Sequence, residues 1–184
     1  MLRKILAGPL AATIMAALCP SVSLAQSKAA QIATALSAAP SAISAHATVM
    51  AAAKDGKLTT LREGTNGWTC MPGDPKSKYN SNNAMCLDAT WMSFIGALMS
   101  GQKAPNVKQV GYSYMLSTND WESNTDASAK APTATNDWHH VGSHVMVVYP
   151  DARMLDGIPT HPSKAGAYVM WPGTPYAHVM LPVK

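Results

Sequence analysis

The sequence predicts an α+β domain, a mainly antiparallel β-sheet with one firm helix at residues 88–100 and one disulfide. Three observations lead there. Short apolar runs recur after His46, each bounded by Gly, Pro, Asn or Asp, which is the pattern of strands joined by turns. A 3.6-residue apolar period is clear in one segment only, 88–100. Cys70 and Cys86 remain as an even pair once the N-terminal leader is set aside.

That leader is residues 1–25. Arg3 and Lys4 form a positive start, and Ile5 to Cys19 is apolar and uncharged. The stretch is shorter than the roughly 20 residues that span a bilayer, and Ser23 and Ala25 supply the small residues read by a signal peptidase. Cleavage after Ala25 predicts a periplasmic or secreted protein. A lipid anchor on Cys19 requires a small residue before it, and Leu18 is not one. No other segment is long and apolar enough to cross a membrane, so no membrane contact is expected after cleavage. Loss of Arg3 and Lys4 takes the formal charge from +4 to +2, and no Lys/Arg cluster marks a nucleic-acid surface. Two cysteines in an oxidising compartment are expected to bond, stapling the polar, turn-rich segment between them.

Residues 26–45 are rich in Ala and Ser and break at Pro40; they read as a leader or a helix with Ile32, Ala33 and Leu36 on one face. A single domain is then expected over 46–184. Residues 46–53 and 58–63 read as strands around Asp55-Gly56, a dipeptide that tolerates the positive φ of a hairpin. Gly64 to Gly67 forms a second turn, leading to Trp68-Thr69-Cys70. In the helix, Asp88 is placed to cap, and Trp91, Phe94, Ile95, Leu98 and Met99 form one apolar face. Gly101 is placed to end it in the left-handed conformation. Further strands are predicted at 110–116, 144–149, 167–171 and 178–182, and 117–137 reads as a long polar surface loop. Thr-Asn-Asp-Trp recurs at 118–121 and 135–138, and His-Val-Met at 144–146 and 178–180, but neither extends to a structural repeat.

Several segments together resemble a group of small exported bacterial proteins of uncharacterised function. They are Leu61 to Cys70, Met85 to Asp88, Ser123 to Asp126, Gly142 to Met146 and Gly173 to Met180. The resemblance covers roughly residues 42–183. It implies a shared fold and compartment and carries no catalytic assignment.

Four constellations could carry chemistry. The first is the pair of His-x-Met motifs. Residues i and i+2 share a strand face, so His144 projects with Met146 and His178 with Met180. If the strands are neighbours, two imidazoles and two thioethers converge, a ligand set suited to copper, above all Cu(I). His46, His139 and His140 could add imidazole. The competing reading is core packing, with Met filling gaps and each His satisfied by a backbone carbonyl. The second is Asp120 to Asp126, with oxygen-bearing side chains at alternate positions as in a calcium loop; Thr125 and Ala131 stand where an EF-hand needs Gly and Glu. The third is an acid–base site, in which His144 or His178 pairs with Glu63, Asp88 or Asp156 in a hydrolase-like enzyme. No nucleophile elbow, His-Glu-x-x-His or phosphate-binding Gly loop supports it, and the balance leans away from an enzyme. The fourth is aromatic: Trp68, Trp121, Trp138, Trp171, Tyr112, Tyr114 and Tyr176 could line a groove, with Trp91 assigned to the helix core. Metal (copper) or small-ligand binding through His144, Met146, His178 and Met180 is the leading expectation; a structural or interaction role without a small-molecule site is the other alternative.

Overall fold

A computed structural model describes residues 27–53, 56–74, 77–79, 83–163 and 166–183. The expected leader lies outside them. The architecture is α+β, with one large, mainly antiparallel sheet. Its eight strands are β1 (Thr48–Ala52), β2 (Leu58–Arg62), β3 (Thr69–Met71), β4 (Met85–Leu87), β5 (Gly111–Met115), β8 (His144–Val148), β9 (Tyr168–Met170) and β10 (His178–Pro182). They run in the order β2-β1-β3-β4-β5-β8-β10-β9. A separate two-stranded ribbon pairs β6 (Asp120–Ser123) with β7 (Trp138–Val141). All pairings are antiparallel except β1 with β3. That exception arises because the chain after β2 turns back through 63–68 and docks on the far side of β1. Thr65 N–H donates to His46 O at 2.8 Å and Thr48 N–H to Trp68 O at 2.8 Å.

Two helices sit on opposite faces. α1 (Lys28–Leu36) is capped by Ser27, whose Oγ accepts from Ala30 N–H. It packs against the β1–β4 end, where Ala35, Ala38, Val49, Cys70 and Cys86 are buried together. Of the two readings of residues 26–45, the helix is the one found, and its small side chains allow it close to the sheet. A single-turn α2 (Ser41–Ser44) follows, and Arg62 ties it down by donating to Ser44 O and Ala47 O at 2.8 and 2.6 Å. The disulfide joins Cys70 to Cys86, which are directly opposite on β3 and β4.

α3 (Ala89–Met99) is the helix predicted from Asp88 onward, and it covers the other face. Asp88 Oδ1 accepts from Trp91 N–H at 2.8 Å, and Oδ2 accepts from Tyr112 N–H at 2.6 Å, so one side chain caps the helix and pins it to β5. Gly111 keeps that approach open, since a Cβ there would lie 2.7 Å from Thr90 Cβ. At the far end Gly101 has φ +66°, and the Gly101 and Gln102 N–H groups donate to Leu98 O and Ala97 O. This is the two-bond Schellman closure that a left-handed glycine permits. Trp91 and Phe94 are buried against the sheet, with Leu87 and Met180 beneath them.

One expectation is corrected. Residues 117–137 are not simply a surface loop: they contain β6, and Asp120, Ser123 and Asn124 are buried. In β5 the side turned toward α3 carries Gly111, Ser113 and Met115; Tyr112 is exposed and Tyr114 packs on the α1 side against Trp68. The smaller side chains face inward because α3 lies close there.

Removing the disulfide with Cys70→Ser/Cys86→Ser is expected to cost about 3 kcal/mol, the chain-entropy value for a loop of this size. Denaturant unfolding with and without reductant checks this. An unchanged midpoint would mean that β3 and β4 hold without the staple.

Candidate functional site

The register of β5, β8, β10 and β9 decides which side chains meet. On the α3 face Ser113 lies opposite Met146, Met146 opposite Met180, and Met180 opposite Tyr168. Antiparallel pairing then sets the two histidines on either side of this row. His178 lies opposite Met170, and His144 lies between Met115 and Pro182. All four residues of the His-x-Met pair therefore share one face, as predicted, but they form a stripe with the thioethers at its centre. The histidine positions are four residues apart along the strands, about 13 Å at the backbone. Among the described residues no group of three or more His, Cys, Asp and Glu is placed to hold a metal ion.

The stripe floors a cavity of about 600 Å³, open on one side, between the sheet, α3, the β6–β7 ribbon and residues 126–130. Met85, Met115, Met146, Met170 and Met180 contribute thioethers, and Trp91 and Trp171 contribute indole faces. Asp120 and Glu122 line the same space from β6. Volume and lining fall in the range of small-molecule sites, which run to about 300–1,000 Å³ and are mostly apolar with a few placed polar groups.

Both histidines are held in the same way. His178 Nδ1 donates to Tyr176 O at 3.0 Å, and His144 Nδ1 donates to Gly142 O at 2.7 Å. A carbonyl only accepts, so each Nδ1 carries the proton and each Nε2 carries a lone pair. Burial drives both pKa values down to about 4, so the rings are neutral at pH 7. His178 is 1% exposed and sits edge-on among Trp91, Phe94 and Trp171, with ring centroids 5.2, 5.8 and 4.9 Å away. Its Nε2 is buried without a hydrogen-bond partner.

Trp171 adds a strained element. It has φ +54°, a left-handed conformation that bulky residues rarely adopt. Its Nε1–H donates to Ser123 O at 2.9 Å and its N–H donates to Asn124 O at 3.0 Å. Those bonds fix the strain by tying β9 to the end of β6. The chain then turns sharply back, and Tyr176 Oη donates to Gln102 O at 2.8 Å, anchoring the turn before β10 to the end of α3.

The acidic wall is electrostatically unusual. Burial, together with the neighbouring Asp120 charge, pushes Glu122 up to about 7. Tyr168 is pushed up to about 12 by burial and by the charges of Asp137 and Glu122. Asp120 and Glu122 alternate with Trp121 because β6 is a strand, so their spacing is that of a sheet face and not of a calcium loop. Asp126 instead turns onto Ser128, accepting from its N–H and its Oγ at 2.8 and 2.7 Å.

The other candidates fall elsewhere. Glu63 and Asp156 are exposed and do not line the cavity, and Asp88 is the cap of α3. His46 is exposed. His139 meets Tyr168, with Nε2 to Oη at 3.3 Å, while His140 turns outward against Trp121 and bonds Asn119. Trp121, Trp138 and Tyr168 line a second recess of about 580 Å³ that shares Val141 and His144 with the first. Trp68 and Tyr114 pack together on the α1 side. The residues that sequence reasoning passed over are Met85, Met115, Met170 and the inward role of Glu122. Their signal was a period-two pattern carrying unusual side chains. No family model, curated protein or solved structure matches the chain.

The pKa shifts give opposed pH effects. Glu122 is raised above its unfolded value, so the stability it contributes is present below about pH 4.5 and is lost as pH rises through about 7. His144 and His178 are lowered, so their contribution is present above about pH 6.5 and is lost as pH falls through about 4. Glu122→Gln is therefore expected to stabilise the protein at pH 8 relative to pH 4, by about 1–3 kcal/mol. His178→Phe is expected to flatten the acid-side loss. Urea unfolding across pH 4–8 tests both, and parallel curves for variant and parent would contradict the assignment.

Proposed function

We propose that this is an exported binding protein for a small, largely apolar organic ligand, held in the methionine-lined cavity between α3, the sheet and the β6–β7 ribbon. The observation that carries the reading is the cavity of about 600 Å³ lined by Met85, Met115, Met146, Met170 and Met180, with His178 in its wall. Flexible, polarizable thioethers suit a ligand of variable shape. Export is supported by the leader-like residues 1–25 and by the disulfide, which fits an oxidising compartment; no helix among the described residues is long and apolar enough to cross a membrane.

A second reading is a soft metal ion, and one observation favours it. Met146 and Met180 are direct cross-strand partners, and both flanking histidines hold Nε2 in the lone-pair form that ligation needs. Cu(I) held by two thioethers and one imidazole is the form it takes. The cavity is far larger than one ion requires, which places the organic ligand first.

Titration with the neutral dye N-phenyl-1-naphthylamine separates the readings. The expected result is one dye per chain, with uptake abolished in the cavity-filling variant Met146→Trp/Met180→Trp while its near-ultraviolet circular dichroism persists. Equal uptake by parent and filled variant would contradict the site. Tight Cu(I) binding that Met146→Leu/Met180→Leu removes, without dye uptake by the parent, would put the metal reading in its place.

A further inference from the structure

The charges around the cavity bear on what it holds. Among the described residues that line it, Asp120, Glu122 and Asp126 carry carboxylates and Lys130 carries an ammonium. Asp126 and Lys130 are exposed, and Asp126 is engaged by Ser128 N–H and Oγ. They stand at the rim as one charge of each sign in water, where salt screens them. Asp120 and Glu122 stand deeper. They are alternate residues of β6 and share its inner face; Asp120 is 1% exposed and Glu122 is half-buried.

The titratable groups on the facing elements are neutral at pH 7. Burial holds His144 on β8 and His178 on β10 down to about 4, and it also lowers His139, directly opposite Glu122 on β7. Tyr168 on β9, beside the charges of Asp137 and Glu122, is pushed up to about 12 and stays a phenol. α3 brings Trp91, Ile95, Leu98 and Met99, none of them charged. The inner wall is therefore anionic, in a lining otherwise made mostly of thioether and indole, and charges act more strongly there than in water. A carboxylate or phosphate ligand is repelled by such a wall. A neutral ligand gains nothing from it. An inorganic cation needs converging ligands, and among the described residues no group of three or more His, Cys, Asp and Glu supplies them. An organic ammonium is attracted by both carboxylates, and indole is the best aromatic partner for such a cation.

We propose that the cavity selects an organic cation, an ammonium group on an apolar body, with its charge drawn to the Asp120–Glu122 wall of β6. This deepens the binding function above and rests on it. The apolar body takes the methionine-lined floor. A seated cation favours the ionised form of Glu122, whose carboxyl burial and the Asp120 charge push up to about 7. Binding near neutral pH therefore releases a proton to solvent, and affinity rises as pH rises and the free site loses that proton unaided.

The test uses three probes of one shape, with the emission of the protein's own tryptophans as readout. They are 2-naphthylmethylammonium, 2-naphthylmethanol and 2-naphthoate, which are cation, neutral and anion throughout pH 6–8. At pH 8 the parent is expected to bind the cation about tenfold more tightly than the alcohol, the size of effect that one opposite charge at close range exerts. The anion is expected to bind more weakly than either. The cation-to-alcohol ratio is expected to climb severalfold from pH 6 to pH 8. In Glu122→Gln, which keeps the shape of the side chain and removes its charge, the ratio is expected to be smaller and flat over that range. Equal affinity of the parent for cation and alcohol at pH 8 would overturn the inference and leave the apolar binding function standing. A ratio that climbs as steeply in Glu122→Gln as in the parent would also overturn it. Binding of none of the three would remove the inference and the binding function together. The parent measurements decide the matter even if the variant fails to fold.

Discussion

The register between β8 and β10 is the constraint on which the rest depends. Met146 faces Met180 across the pair, and Val147 faces Val179 on the other side of the sheet. Side chains alternate along a strand, so a slip of one residue would move both histidines and both methionines to the opposite face. The correct register is enforced from both sides. Val147, Val169 and Val179 are buried on the face away from α3, and Met146, Met170 and Met180 are buried on the face toward it. Burial on both faces specifies register strongly, and it is what lets polar side chains occupy the interior at fixed positions.

Given that floor, the walls follow from local chemistry. Asp88 caps α3 and holds β5 with its second oxygen, and the closure at Gly101 delivers Gln102 O to Tyr176 Oη. Each end of α3 is thus tied to the sheet it covers. The third wall, β6–β7, is fastened by Trp171, whose left-handed backbone is held by Ser123 and Asn124. Strain of this kind costs on the order of 1–3 kcal/mol and persists only where the surroundings over-determine it. It falls here on a residue that lines the cavity and touches His178.

Much of this was legible in the sequence, for reasons that can be named. α3 was readable because cap, apolar period and terminal glycine agree. β8 and β10 were readable because each is a short apolar run with β-branched residues between turns. The Cys70–Cys86 pair was readable because setting Cys19 aside with the expected leader leaves an even pair. Strand order was not readable, since nothing local says that β5 lies between β4 and β8. The ribbon was hidden for a more instructive reason. In β6 the inward residues are Asp120 and Glu122 and the outward one is Trp121, which is 44% exposed. That is the binary pattern of a strand with its sign reversed, so a search for apolar alternation reads it as loop. Local rules are expected to fail where a chain trades stability for a site, and this failure falls on a wall of the cavity. The His-x-Met motifs show the complementary lesson. Shared face was predictable from spacing, but convergence was not, because antiparallel pairing places the two histidines at opposite ends of the stripe.

The central claim is that His178 stands neutral in the wall of the cavity, with Nδ1 carrying the proton and Nε2 bare. Nitrogen-15 NMR of the imidazole rings tests it most directly. The expected spectrum at pH 7 shows His178 Nδ1 protonated and Nε2 bare, and both signals unchanged on lowering the pH to 5, since burial holds the ring's pKa near 4. A protonated Nε2 at pH 7, or an imidazolium already formed at pH 6, would contradict the claim and return His178 to the role of an ordinary packed side chain.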